Sequence, residues 1–111
     1  MELSLDTSRR GSWSVVTIAG ELDLHSSPQL RDRVLGLVND GVDRVALDMS
    51  GVGFMDSSTL GVLVTCLKRL RERDGALVLV SVPASPMKVL TLTGLDRVFE
   101  VVGSIDELPT S

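Results

Sequence analysis

Aromatic residues are scarce in this chain of 111 residues, which has two Phe, one Trp and no Tyr. Any core must therefore be aliphatic, built from Leu, Val, Ile and Met. Cysteine is limited to Cys66. That excludes an internal disulfide and fits a reducing compartment. Histidine is limited to His25, and no grouping of His, Cys and carboxylates has the spacing of a metal site. The excess of basic charge that nucleic-acid recognition draws on is also missing, since the formal charge is −4 and the pI about 4.8. No apolar run is long enough to span a bilayer, and the N-terminus lacks the basic and apolar regions of a secretory signal. These absences point to a cytoplasmic domain, a monomer or weak dimer, with no direct contact to nucleic acid or membrane and no cofactor.

What is present is a chain with 43% hydrophobic residues, which argues against general disorder. Its length suits one domain, residues 1–111, with one core. Leu3 and Leu5 start a weak first strand, and Arg10-Gly11-Ser12 reads as a turn. Trp13, Val15, Thr17 and Ala19 alternate with Ser14, Val16, Ile18 and Gly20. Both series contain apolar residues, so this second strand is expected to be covered on both faces over part of its length. The short polar connection between the two strands favours an antiparallel hairpin.

A helix is expected after His25. Ser26 with Gln29 forms a candidate capping box, and Ser27 with Pro28 is an equally good start. Leu30, Val34, Leu37 and Val38 make one apolar stripe, and Asn39-Asp40-Gly41 ends it. A short strand runs from Arg44 to Met49 through Val45 and Leu47, with Ala46 and Asp48 on its other side. A second helix starts near Asp56, with Leu60, Leu63, Val64, Leu67 and Leu70 on one face. The run Lys68-Arg69-Leu70-Arg71-Glu72-Arg73 reads as its solvated side, with cations favoured at the C-terminal end of the dipole.

Ala76 to Val80 is a continuous apolar run, the pattern of a central strand. Ser85-Pro86 starts a third helix through Val89, Leu90 and Leu92, closed by Gly94. Val98 to Val101 is a candidate fifth strand, and Ser104 to Leu108 a final helical turn before Pro109. The alternation predicts an α/β fold with a mixed sheet of four or five strands, an N-terminal hairpin at its edge and three to four helices. One sheet face is expected to be less covered than the other.

The segment Met55-Asp56-Ser57-Ser58-Thr59-Leu60-Gly61 stands out at the junction of strand and helix. Asp56 or Ser57 can cap the free amides of the first turn, worth about 1 kcal/mol. One cap does not account for three polar side chains and Thr59 in succession. Phe54 and Met55 read as core or as a staple against the first turn. Gly61 weakens the helix by about 1 kcal/mol against alanine. It suggests close approach by another element of the domain or by a partner.

A hydrolase using Ser57 or Ser58 would need His25 as its base. A surface-loop histidine is the better reading, because there is no G-x-S-x-G elbow, and Gly51-Val52-Gly53 is not a dinucleotide fingerprint. Asp48 and Asp56 without further ligands are weak grounds for a divalent site. A phosphate on Ser58 would add about −1.5 to −2 charges at a helix N-terminus. The helix amides favour it, while Asp56 and Asp23 oppose it.

Three stretches together carry a family resemblance. They are Gly20-Glu21-Leu22-Asp23, the central segment from Leu47-Asp48-Met49-Ser50 through Val52-Gly53-Phe54-Met55-Asp56-Ser57-Ser58, and the later Ser85-Pro86 with Leu92-Thr93-Gly94-Leu95. In this order and spacing the chain resembles the STAS-domain anti-sigma factor antagonists over nearly its whole length.

The resemblance implies a single STAS domain in which Ser58, the second serine of D-S-S, is the phosphate acceptor. Asp56 is then its acidic neighbour, Ser57 the helix-start serine, and Asp23 an acidic position on the partner-facing surface. Thr59 and Gly61 complete the implied partner-binding set, although many members of the family have Gly where this chain has Thr59. The implied partners are an anti-sigma factor with a GHKL-type serine kinase domain and a PP2C-type phosphatase. The unphosphorylated form would bind the kinase and free the sigma factor, and phosphorylation would block that binding. The chain would thus be a substrate and binding module, not an enzyme. The alternative implied by the same family is a non-switching STAS subunit of a transporter or regulatory scaffold.

Overall fold

The computed structural model describes residues 3–109. Five strands form one sheet in the order β1 (Ser4–Arg10), β2 (Trp13–Leu22), β3 (Arg44–Met55), β4 (Ala76–Val80) and β5 (Glu100–Val102). β1 pairs antiparallel with β2 through the turn at Gly11, and the remaining pairs are parallel. The parallel strands are joined by α1 (Ser27–Asn39), α2 (Ser58–Arg71) and α3 (Ala84–Thr93). Consecutive neighbours connected by crossovers of one hand place all three helices on the same face.

The burial pattern follows from this layout. The larger core contains Val16, Ile18, Val45, Leu47, Met49 and Leu79 from the sheet with Leu30, Val34, Leu63, Leu70 and Leu90 from the helices. On the other face a smaller cluster gathers Trp13, Val15, Ala46, Val78 and Val80 under Leu108. No residue of the three helices belongs to it. Its cover is the C-terminal segment, a 3-10 turn at Ile105–Glu107. That segment is fastened by a hydrogen bond from Trp13 Nε1 to the Pro109 carbonyl at 2.7 Å and by an ion pair between Arg10 and Asp106. Ala46, expected opposite the core side of its strand, is therefore buried after all, against this second cluster.

β3 runs to Met55, six residues past the expected end. The alternation breaks after Met49, because the next buried residues are Val52 and Met55, each three positions on. Two register shifts against β2, between Thr17 and Ala19 and between Gly20 and Glu21, account for both breaks. Each bulge inserts an extra residue in β3 and returns an apolar side chain to the helix face. At the first of them the backbones come close. A Cβ on Gly51 would sit 2.9 Å from the Ile18 carbonyl oxygen, so only glycine fits.

Other boundaries differ in smaller ways. α3 begins at Ala84 instead of Ser85, which leaves Pro86 still in the first turn, where a missing N–H costs no helical bond. Gly94 closes α3 in the left-handed region, at φ 77°. β5 starts at Glu100, so Val98 and Phe99 precede it. In α2 the last turn carries Lys68, Arg69 and Arg71 as expected. Cys66 joins the buried stripe, and burial pushes its thiol up to about 12.

Candidate functional site

The C-terminal ends of β2 and β3 lie side by side, with Leu22 opposite Met55. The chain leaves both strands at one rim. The Asp56 N–H donates to the Leu22 carbonyl at 3.1 Å, which ties the two exits together. This junction brings Asp23 and the Asp56-Ser57-Ser58 segment to the same end of the molecule, 33 residues apart in sequence for the two aspartates. None of this depends on side-chain recognition; it follows from strand pairing.

At the β3 exit, Asp56 starts the helix. Its Oδ1 accepts the Ser58 N–H at 3.0 Å and the Ser58 hydroxyl at 2.5 Å. Ser57 is the N-cap residue by position, but its side chain makes no capping bond. Of the two candidate caps, Asp56 supplies the side-chain acceptor. Ser57 is exposed, and Ser58 and Asp56 are half-buried.

At the β2 exit, Asp23 builds a tight turn. Its Oδ1 accepts the N–H groups of His25 at 2.9 Å and Ser26 at 2.8 Å. The Ser26 hydroxyl donates to the Glu21 carbonyl at 2.7 Å and accepts the Asp23 N–H at 3.0 Å. Ser26 is thus the N-cap of α1 by position while its hydroxyl is engaged backwards, so neither expected capping bond forms. Hydrogen bonding from Ser26, led by its N–H, holds the Asp23 carboxyl below its ordinary value of 3.8, against an opposing effect of desolvation, with a lesser contribution from His25. Asp23 is a fixed negative charge at this rim.

Three expectations about this segment change. Thr59 is fully buried, and its hydroxyl has no hydrogen-bond partner. Its side chain therefore lies beneath the rim and not on it. Phe54, expected as core or staple, is 46% exposed, because it sits on the opposite side of β3 from buried Met55. A Cβ on Gly61 would meet nothing within 4 Å, so no element of this domain requires glycine there, and the residue lies open on the surface.

Leu24, 67% exposed in the Asp23 turn, was not singled out from sequence. The available signal was an apolar residue inside an Asp-x-His-Ser turn.

The rim does not assemble a hydrolase. His25 is exposed, and its described bond is the backbone one to Asp23, while the Ser58 hydroxyl is turned to Asp56. Asp48 accepts the Ser50 N–H at 3.1 Å. Among the described residues, no group of three or more His, Cys, Asp or Glu could hold a metal ion. No helix among them is long and apolar enough to cross a membrane. Fold and rim define an α/β module that carries a hydroxyl and two carboxylates at one end.

The STAS domain pattern matches residues 4–108. The anti-sigma-B factor antagonist of Bacillus subtilis is 30% identical over 101 residues, which is 91% of this chain and 92% of that protein. The crystal structure of an anti-sigma factor antagonist from Mycobacterium paratuberculosis superposes with a TM-score of 0.86 at 25% identity, covering 96% of this chain and 90% of that one. The Bacillus cell fate determinant SpoIIAA in its phosphorylated form shares the fold, with a TM-score of 0.71 at 22% identity and 95% of each chain covered. The chain belongs to the STAS-domain family of anti-sigma factor antagonists.

Proposed function

We propose that this chain is a cytoplasmic anti-sigma factor antagonist switched at Ser58. In this reading its unphosphorylated form binds an anti-sigma factor with a GHKL-type serine kinase domain and frees the sigma factor. The kinase transfers a phosphoryl group from ATP to Ser58 Oγ, binding is lost, and a PP2C-type phosphatase restores it. The observation that carries the reading is the Ser58 hydroxyl, half-exposed at the first turn of α2 and oriented by Asp56.

The physical argument is one of charge and desolvation. The phosphoester removes the hydroxyl proton, so the bond to Asp56 is lost. A dianion then stands beside the Asp56 carboxylate on the rim that also holds Asp23. The helix amides and dipole offset part of that repulsion within the domain. A partner docked over the rim would have to bury the new charge unpaired, which is costly. The switch therefore acts on association more than on the fold. Asp23, Asp56, Ser57, Ser58 and Gly61 form the contact surface, and Thr59 supports it from below. Likeness to the Bacillus subtilis antagonist over most of both chains supports this reading.

The test is incubation with the kinase and ATP, followed by phosphopeptide mass spectrometry. Phosphate is expected on Ser58. Phosphate found only elsewhere would sink the assignment. By calorimetry, Ser58→Ala should keep kinase binding and Ser58→Glu should weaken it; equal affinity for both would count against the electrostatic account.

A further inference from the structure

Among the described residues four large apolar side chains are exposed: Leu24, Phe54, Leu92 and Val98. Two of them flank the switch segment. Leu24 follows Asp23 in the β2 exit turn and is 67% exposed. Phe54 precedes Met55-Asp56 and pairs in register with Glu21, so both lie on the sheet face away from the helices. Leu92 is in the last turn of α3, which runs back from this rim to the other end of the molecule.

The same rim is stripped of positive charge. Neither residues 11–30 nor residues 45–67 contain a Lys or Arg, although the chain has eleven. Arg9, Arg10 and Arg44 lie at the opposite end of the sheet, where β1 ends and β3 begins. Lys68, Arg69, Arg71 and Arg73 lie at or past the far end of α2. Arg31 and Arg33 are a turn down α1, bonded to Asp32 and to Thr7 of β1. Lys88 is likewise in the second turn of α3, and Arg97 lies beyond that helix in the 3-10 turn Leu95–Arg97. The rim keeps Glu21, Asp23 and Asp56.

We propose that Leu24 and Phe54 are the apolar anchors of this rim, and that the partner surface presents Lys and Arg side chains around an apolar pocket that receives them. This rests on the reading that an anti-sigma kinase docks at the Ser58 end. A few side chains seated in fully desolvated pockets carry most of the energy of an interface, whereas surrounding charges mainly set the encounter rate and exclude wrong partners. The two contributions therefore separate kinetically. The anchors govern dissociation, and the uncompensated carboxylates govern association. A dianion on Ser58 would stand at the same strand exits as the anchors, so a partner seated on them would have to desolvate it.

The experiment measures association and dissociation rates for a purified GHKL-type anti-sigma kinase with the full chain. Leu24→Ala and Phe54→Ala are each expected to raise Kd by about tenfold or more, chiefly through faster dissociation. Raising the salt from about 0.05 to about 0.5 M should slow association of the wild-type chain about tenfold. Leu92→Ala, equally apolar and more exposed, should leave Kd within about twofold, as expected for a residue outside the contact. Should Phe54→Ala lower the melting temperature, Leu24→Ala, in an exposed turn, still decides the question. Rim variants that bind like wild type, equal losses from Leu92→Ala, or association indifferent to salt would each overturn the proposal. A wild-type chain that binds no such kinase would overturn the functional reading itself.

Discussion

Oδ1 of Asp56 accepts two hydrogen bonds from Ser58, one from its N–H at 3.0 Å and one from its hydroxyl at 2.5 Å. One carboxylate oxygen thus starts α2 and aims the hydroxyl that the proposed switch modifies. Asp56→Ala should lose the acceptor and destabilise the domain by about 1 kcal/mol, read from the urea midpoint. Asp56→Asn retains an acceptor oxygen and should recover most of that loss. If Asn is as damaging as Ala, the negative charge and not the acceptor starts the helix.

Asp23 supplies a dependence on acid. Its folded pKa lies below the ordinary 3.8, so its turn contributes stability that is fully present above that value. The contribution is lost as pH falls through the depressed folded value. A carboxyl NMR titration should place the Asp23 midpoint below 3.8. The stability difference between wild type and Asp23→Ala should be largest near neutral pH and shrink at the acid end. A midpoint above 3.8 would contradict the hydrogen bonds assigned to this turn.

Thr59 holds a buried hydroxyl without a partner. Replacing both the polar atom and its desolvation cost with a methyl group of similar shape should stabilise the fold. Thr59→Val is expected to gain about 1 kcal/mol and to raise Tm by about 4 °C. A loss of stability would mean that the hydroxyl finds a partner in solution.

The second sheet face depends on the C-terminal segment. Leu108 is 7% exposed and caps the cluster of Trp13, Val15, Ala46, Val78 and Val80. Leu108→Ala should destabilise by about 2 kcal/mol. Trp13 is the one tryptophan and the chain has no tyrosine, so its emission reports directly on this contact. A red shift should accompany the loss of stability, and unchanged emission would place the segment elsewhere in solution.

The order of elements and most of the larger core were legible in the pattern of apolar residues along the chain. Alternation in residues 13–20, the stripe through Leu30, Val34 and Val38, and the apolar run at 76–80 each match the observed element. Such periodicities arise from local geometry, and the stripes and runs face the one layer of helices that short crossovers allow. The Asp-Ser-Ser segment was likewise visible as an excess of hydroxyls at a helix start.

The remaining features depend on how the strands and helices meet. β3 continues to Met55 because two bulges against β2 shift its phase, and a bulge belongs to a pair of strands, not to either sequence alone. Phe54 goes outward because the final bulge sets its face on the sheet, and Thr59 goes inward because it falls on the buried side of α2. The turn at Asp23 meets the start of α2 because β2 and β3 are parallel neighbours. Side-chain patterns record which surfaces a segment can bury; which strand lies beside it, and in what register, is settled by the packing of the whole chain.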